Sequence, residues 1–269
     1  MRRFVCFLLI LGLAVSFVFA RAGSDRSTSG RLICGITEYE PMNFRDARGN
    51  WTGFDTEFAG LVGEKLGLQV VFQLIEWGNK FIELDSRAID AIWNGFTATA
   101  NEPDGTPRAN LCDMSYSYML NTQCVVVRAE RAREFSSSGA LAGKTLAVEA
   151  GSAGETKAKD LVGQSGRIIG APAQINTFME VKAGASDGAV IDLILARQIT
   201  GSGDYTDLVI ADIDLGSEVF AIGFRKGDPL RDRVNQAILE LNQEGKLREL
   251  ARKYGLIERF VIDTNFGRR

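Results

Sequence analysis

The sequence predicts an α/β fold of two doubly wound lobes with mostly parallel sheets, joined by a hinge that the chain crosses twice. Three observations carry this expectation. Strand-like and helix-like segments alternate from residue 31 onward, the alternation restarts near residue 144, and a strand and a helix over residues 219–254 are left to return to the first unit. Alternating strand and helix is the pattern of parallel α/β layers, and two successive rounds of it imply two lobes.

In chain order, residues 32–37 read as an apolar strand and residues 54–66 as a helix. Phe54, Phe58, Leu61, Val62 and Leu66 recur at helical spacing and mark one buried face. Gly67 follows the last turn, where glycine commonly ends a helix. A strand over 68–75, a short helix over 80–85 and a strand over 88–94 complete the first round. The second reads strand 144–149, helix 153–162, strand 167–169, helix 178–183 and strand 187–191. Asp90-Ala91-Ile92 and Asp187-Gly188-Ala189-Val190 hold the same place in the two rounds, each an acidic turn feeding an apolar strand. The tail alternates like a strand over 219–225. Asp228-Pro229 then opens a helix, with proline in its first turn, that runs over 230–254 with an interruption near Gly245. The expected layout is a signal over 1–22, a linker over 23–30, the first lobe over 31–119, hinge and second lobe over 120–218, and the return with its tail over 219–269. The crossings are expected near residues 120–124 and 216–219.

Composition narrows the function. The chain has 269 residues, 45% of them hydrophobic, and a net charge of -3, so a sizeable core is available and no basic footprint for nucleic acid is present. It has no histidine, which removes Ser–His and Cys–His nucleophile pairs and argues against an ordinary zinc site. Arg2 and Arg3, the apolar run over 4–19 and the small residues Ala20 and Ala22 have the form of a cleaved secretory signal. An uncleaved membrane anchor is the alternative, since the run is near the short end of a spanning helix. No Leu-x-x-Cys sequence closes the run, so export as a soluble protein is expected over a lipid anchor. Cys34, Cys112 and Cys124 follow it. An odd number leaves at least one thiol free or paired with another molecule, and which of them pair is left open.

Ligands of open α/β sheets bind beyond the carboxyl ends of the strands. Here those ends carry Glu38, Tyr39, Trp77, Asn94, Gly95, Thr97, Ser152, Ala153 and Asp192. Their convergence from two lobes predicts a cleft between them, a common place for a small-molecule site.

Five motifs lie in order along the chain. They are Gly53-Phe54-Asp55-Thr56-Glu57-Phe58 running on to Leu66, the stretch 90–99, Ser115-Tyr116-Ser117-Tyr118, Leu141-Ala142-Gly143-Lys144 running on to Gly151-Ser152, and Gly223-Phe224-Arg225-Lys226-Gly227-Asp228. Together, over about residues 31–255, they resemble the family-3 solute-binding proteins, the periplasmic amino-acid receptors of bacterial ABC importers. The resemblance implies a type II periplasmic-binding-protein fold, a monomer without cofactor or metal, a free amino acid as ligand and an inner-membrane permease as partner. It also implies roles. The Gly95 carbonyl, the Thr97 hydroxyl and Asp192 would meet the ligand ammonium, beside Asn94, while the Thr97 N–H and the helix start at Ser152-Ala153 would meet its carboxylate. Tyr39 and Trp77 would sandwich the ligand side chain, with Glu38 and Glu40 tilting the choice toward a polar or basic one.

This chain departs from the family at one place. The arginine expected three residues after Thr99 is missing, and Ala100-Asn101-Glu102-Pro103-Asp104-Gly105-Thr106-Pro107 intervenes before Arg108. Counted back from Ser115, Arg108 stands at the right distance, as though about six residues were inserted ahead of it. It is therefore either the carboxylate clamp or a solvated loop residue. Two other functions share the fold: a dehydratase of prephenate-like acids, with Glu38 or Asp192 as its acid, and a ligand-sensing partner of a membrane receptor.

Overall fold

The computed structural model describes residues 30–267, so the expected signal and all but the last residue of the linker lie outside the described residues. In chain order the elements begin with β1 (Arg31–Ile36), β2 (Phe44–Arg45), β3 (Trp51–Thr52), α1 (Phe54–Leu66), β4 (Gln69–Leu74), α2 (Lys80–Asp85) and β5 (Ala91–Thr97). Next come α3 (Arg108–Leu111), β6 (Asp113–Met114), β7 (Ser117–Asn121), β8 (Gln123–Arg128), β9 (Thr145–Glu149), α4 (Ala153–Val162) and β10 (Arg167–Ala171). The chain ends with α5 (Gln174–Lys182), β11 (Gly188–Asp192), α6 (Leu193–Ile199), β12 (Leu208–Ile210), β13 (Glu218–Phe224), α7 (Leu230–Gln243), α8 (Lys246–Lys253) and β14 (Phe260–Asp263).

β2 and β3 pair with each other, and two larger sheets hold the remaining strands. One has the order β14-β7-β13-β5-β1-β4, with β6 also on β13, and the other the order β10-β9-β11-β8-β12. In each, the strands joined by crossover helices run parallel: β1 with β4 and β5, and β9 with β10 and β11. Antiparallel strands flank them where the chain changes lobe. β7 lies in the first sheet and β8 in the second, with only Thr122 between them; β12 lies in the second and β13 in the first. The Thr122 hydroxyl donates to the Gly216 carbonyl, which ties the two connections together.

Helix α1 coincides with the expected span because its apolar stripe is long and regular. Phe58 packs edge-on to Trp93 at 5.2 Å and to Tyr118 at 5.4 Å, and Phe54 stacks on Tyr118 at 6.0 Å. α7 and α8, separated by Gly245 in a left-handed conformation, close the same core with Val234, Ile238, Leu241 and Leu247. The Tyr254 hydroxyl donates to Glu57 Oε1 at 2.5 Å and accepts the Gly53 N–H at 3.1 Å, so the tail grips the start of α1.

Three strands run on past their expected ends, β10 to Ala171, β11 to Asp192 and β5 furthest of all. The strand read over 88–94 is β5, Ala91–Thr97, because Phe96 and Thr97 pair with Ala221 and Phe220 of β13. A stretch that looks like a loop in sequence is thus clamped by a strand more than 120 residues away. Cys34, Cys112 and Cys124 are all free and buried, and burial pushes each thiol upward, Cys112 to about 12. They behave as small apolar side chains.

Candidate functional site

The carboxyl ends of both sets of parallel strands meet at one narrow cleft. Trp77, Asn94, Gly95, Thr97 and Arg108 line it from the first lobe; Gln123, Glu149, Ser152, Ala153, Gly154, Gln174 and Asp192 line it from the second.

The first-lobe wall is built from α1 outward. Asp55, in the first turn of α1 and fully buried, accepts the Gly95 N–H at 2.6 Å and the Tyr118 hydroxyl at 3.0 Å. Gly95 has a φ of 55°, and a Cβ there would stand 2.6 Å from Tyr39 Cε1, so only glycine fits both the backbone and the contact. Asn94 lines the cleft, but its amide nitrogen donates to Thr37 Oγ1 at 2.7 Å and its oxygen accepts from Asn43 at 2.8 Å. Its amide therefore holds β5 in place. Trp77 presents its ring to the cleft, edge-on to Phe96.

Arg108 is in the cleft. The inserted residues fold back on themselves through a bridge from Asn101 to Pro107, with the Glu102 N–H on the Thr106 carbonyl, and return the chain to Thr97. The guanidinium is 1% exposed. Its Nε donates to Glu102 Oε1 at 2.7 Å, Nη1 to the Thr97 carbonyl at 2.9 Å and Nη2 to the Gly151 carbonyl of the second lobe at 3.2 Å, over the Phe96 ring. Nη1 and Nη2 each keep a further N–H for a ligand. Lys80 lies alongside, donating to Glu102 Oε2 at 2.8 Å and to the same Gly151 carbonyl at 2.9 Å. Burial, with Arg108 nearby, lowers Lys80 to about 8 despite its pairing with Glu102.

On the second lobe, Ser152 caps α4: its hydroxyl accepts the Glu155 N–H at 3.1 Å, and Glu155 Oε2 accepts the Gly151 N–H at 2.7 Å. The Ser152 side chain is thus spent on ordinary capping. The Ala153 and Gly154 N–H groups open the helix beside the cleft, where no intrahelical carbonyl can reach them. Asp192, at the end of β11, sits in a cage of amides. Its Oδ1 accepts from Asn121 at 2.5 Å and Gln123 at 2.8 Å, its Oδ2 from Gln174, and Gln174 Oε1 accepts the Asp192 N–H at 2.9 Å. Burial, helped by the nearby Glu218 carboxylate, raises Asp192 to about 6, and the amide donors oppose the rise.

The structure does not bring two of the expected residues to the cleft wall. Glu38 is an exposed side chain 3.6 Å from Arg45 on the outer surface, where a solvated ion pair is its cheapest state. Tyr39 is buried against Gly95 and edge-on to Phe220 at 6.5 Å, with the Asp192 carboxylate acting on its hydroxyl, and it is not among the residues that line the cleft with Trp77. The turn that bonds Tyr39 to Asn43 in both directions draws it inward, and no sandwich of two rings forms. Gln123, Glu149 and Gln174 were not singled out in the sequence. Only Glu149 carried a local signal, standing at a strand end two residues before Gly151.

Glu149 is 3% exposed, and its Oε1 has no hydrogen-bond partner among the described residues. Burial raises its carboxyl to about 8; repulsion by Asp192 adds to this, while Lys80 and Arg108 oppose it.

Residues 32–257 match the model of the bacterial extracellular solute-binding proteins, family 3. The chain belongs to that family. It is similar to the arginine-binding extracellular protein ArtP of Bacillus subtilis, 28% identical over 92% of this chain and 96% of that one. It is also similar to the L-cystine-binding protein TcyJ of Escherichia coli, 24% identical over 91% of each. Among solved structures, an ancestral arginine-binding protein bound to arginine superposes with a TM-score of 0.77, at 26% identity over 84% of this chain and 98% of that one. A substrate-binding protein of an uptake transporter from Streptococcus pneumoniae with bound histidine gives 0.75, at 29% identity over 87% and 96%. These neighbours share the two-lobed type II architecture, and the curated relatives of this family-3 protein are amino-acid-binding proteins.

Proposed function

We propose that this family-3 protein is a periplasmic receptor that captures one free amino acid, polar or basic in its side chain, and delivers it to an ABC-type permease of the inner membrane. The carrying observation is a pairing of opposites across one cleft: a guanidinium, Arg108, and an amide-caged carboxylate, Asp192, both buried and both lining it. A free amino acid carries the complementary ammonium and carboxylate, and burying either unpaired costs several kcal/mol. The Ala153 and Gly154 N–H groups and the Thr97 N–H supplement Arg108, while the Gly95 carbonyl and Thr97 hydroxyl supplement Asp192. Chemistry of this kind needs no catalytic group, and an affinity near 1 μM requires only about 8 kcal/mol. The two lobe connections act as a hinge that closes on the ligand, and the receptor works as a monomer.

A thermal-shift screen of the purified protein against the twenty standard amino acids tests this reading. A ligand at 100 times its dissociation constant stabilises by about 2.7 kcal/mol, so its partner stands out in the screen. A protein stabilised by none of them is not an amino-acid receptor. The raised carboxyl groups of Glu149 and Asp192 favour one second reading, an acid catalyst such as a dehydratase. One solved neighbour is an ancestral amino-acid-binding protein described as a precursor of cyclohexadienyl dehydratase, at 27% identity. Turnover of prephenate by the purified protein would establish that reading and displace the receptor.

A further inference from the structure

Glu149 has no task in binding the amino and carboxyl groups of a ligand. Asp192 answers the ammonium and Arg108 the carboxylate, yet Glu149 lines the same cleft, almost wholly buried, with Oε1 unpartnered. Leaving a buried acceptor without a donor is unfavourable, so a partner that arrives with the ligand is the economical explanation.

The sign of that partner follows from the charges gathered at the cleft. Lys80 and Arg108 are positive, Glu102 and Asp192 are their negative counterparts, and Glu149 is a third carboxyl that burial keeps protonated. Glu102 is shared between Lys80 and Arg108. A zwitterionic ligand adds no net charge, so with a neutral side chain an ionised Glu149 would be one carboxylate in excess. Glu218, which accepts from Gln123 at 2.9 Å behind Asp192, makes the surroundings more negative still. A side-chain cation balances the excess; a side-chain carboxylate would deepen it.

We propose that Glu149 is the residue that selects the ligand's side chain, and that the ligand is an amino acid bearing a side-chain guanidinium or ammonium. This rests on the amino-acid-receptor reading above and names the side-chain chemistry of that same site. Trp77, which lines the same cleft, supplies an aromatic ring that favours a cation too.

The test is calorimetry on the mature protein, stripped of ligand by unfolding and refolding, with L-arginine, L-lysine, L-glutamine and L-glutamate as probes. In the wild type, arginine or lysine should bind about a hundredfold tighter than glutamine, and glutamate weakest of all. In Glu149→Gln the ratio of cationic to neutral affinity should collapse to about tenfold or less. The wild type also provides a readout that needs no variant. Arginine binding should release protons as the Glu149 carboxyl ionises against the cation, shown by a heat that changes with the ionisation enthalpy of the buffer. Asp192, Lys80 and Arg108 are the charged groups that act on that carboxyl, and the Gln174 backbone N–H donates to it. Equal wild-type affinity for arginine and glutamine overturns the proposal. So does an unchanged preference in Glu149→Gln, or a loss that falls equally on all probes, since the last would put Glu149 on the ammonium. In each of these outcomes an amino acid still binds, and the receptor reading stands. Binding of no amino acid at all removes both.

Discussion

Asp192 shows how a single buried acid is prepared for a ligand charge. Three side-chain amides hold the carboxylate in one orientation before anything binds, and Asp192 lines the cleft. Asp192→Ala is therefore expected to weaken amino-acid binding at least tenfold, about 1.4 kcal/mol or more, while the lobes stay folded. Calorimetry that finds the affinity unchanged would remove Asp192 from the site. The buried acids also set a pH profile for the ligand-free protein. Asp55, Asp192 and Glu149 are raised to about 7, 6 and 8, in each case mainly by burial. A carboxyl raised on folding contributes stability that is fully present below its ordinary range and is lost as pH rises through its folded value. Lys80, lowered to about 8, works the other way, losing stability as pH falls through that value, and is charged in both states below it. The ligand-free protein should then be more stable at pH 5 than at pH 8, by on the order of 1–3 kcal/mol in urea titrations. A profile that rises toward pH 8 contradicts this.

At the scale of elements, the segment 100–107 ahead of α3, expected from the sequence to be an insertion, shapes one side of the site. Its turn presents Glu102 to both Lys80 and Arg108, and those two cations both donate to the Gly151 carbonyl of the opposite lobe. The Asn101 carbonyl also accepts the Thr156 hydroxyl, so the insertion touches α4 directly. An arginine delivered by a longer loop ends up in the cleft because these partners, and the Phe96 ring beneath, fix it there. Arg108→Ala should lower amino-acid affinity at least tenfold, and equal affinity in titration calorimetry would mean that the ligand carboxylate is held by backbone N–H groups alone. Glu102→Gln should destabilise the ligand-free protein by about 2 kcal/mol, read in denaturant, because it leaves Lys80 buried without its counter-charge. A neutral effect would place that pair among the exposed ones that contribute little.

For the whole molecule, closure depends on how near the lobes can come. Gly151, with a φ of 74°, stands against Gly78 so closely that a Cβ would lie 2.6 Å from the Gly78 Cα. Backbone faces backbone there, and no flexible side chain can yield. Gly151→Ala should hold the lobes apart and weaken ligand binding about tenfold or more. Small-angle scattering separates this from simple misfolding. The wild type should become more compact with its amino acid, and the variant should keep the wider profile whether or not ligand is present. Identical wild-type profiles with and without ligand would contradict hinge closure.

Much of this architecture was legible in the sequence. The stripe from Phe54 to Leu66, the two rounds of strand and helix, and the acidic turns at Asp90 and Asp187 are local signals with fixed periods, and they led to the fold class, the family and the cleft. Arg108 was legible too, as a residue displaced by an insertion, though only its partners show where it ends. Other features depend on contacts that no local pattern encodes. The extension of β5 through Thr97 comes from β13, the inward turn of Tyr39 from Phe220 and Gly95, and the amide cage of Asp192 from Asn121, Gln123 and Gln174. The sequence by itself determined the two lobes and where they meet, because periodicity and turn chemistry act over a few residues. Only the tertiary structure decided which side chains line the cleft and which atoms are left unpaired, as Glu149 Oε1 is among the described residues, because burial and pairing depend on distant parts of the chain.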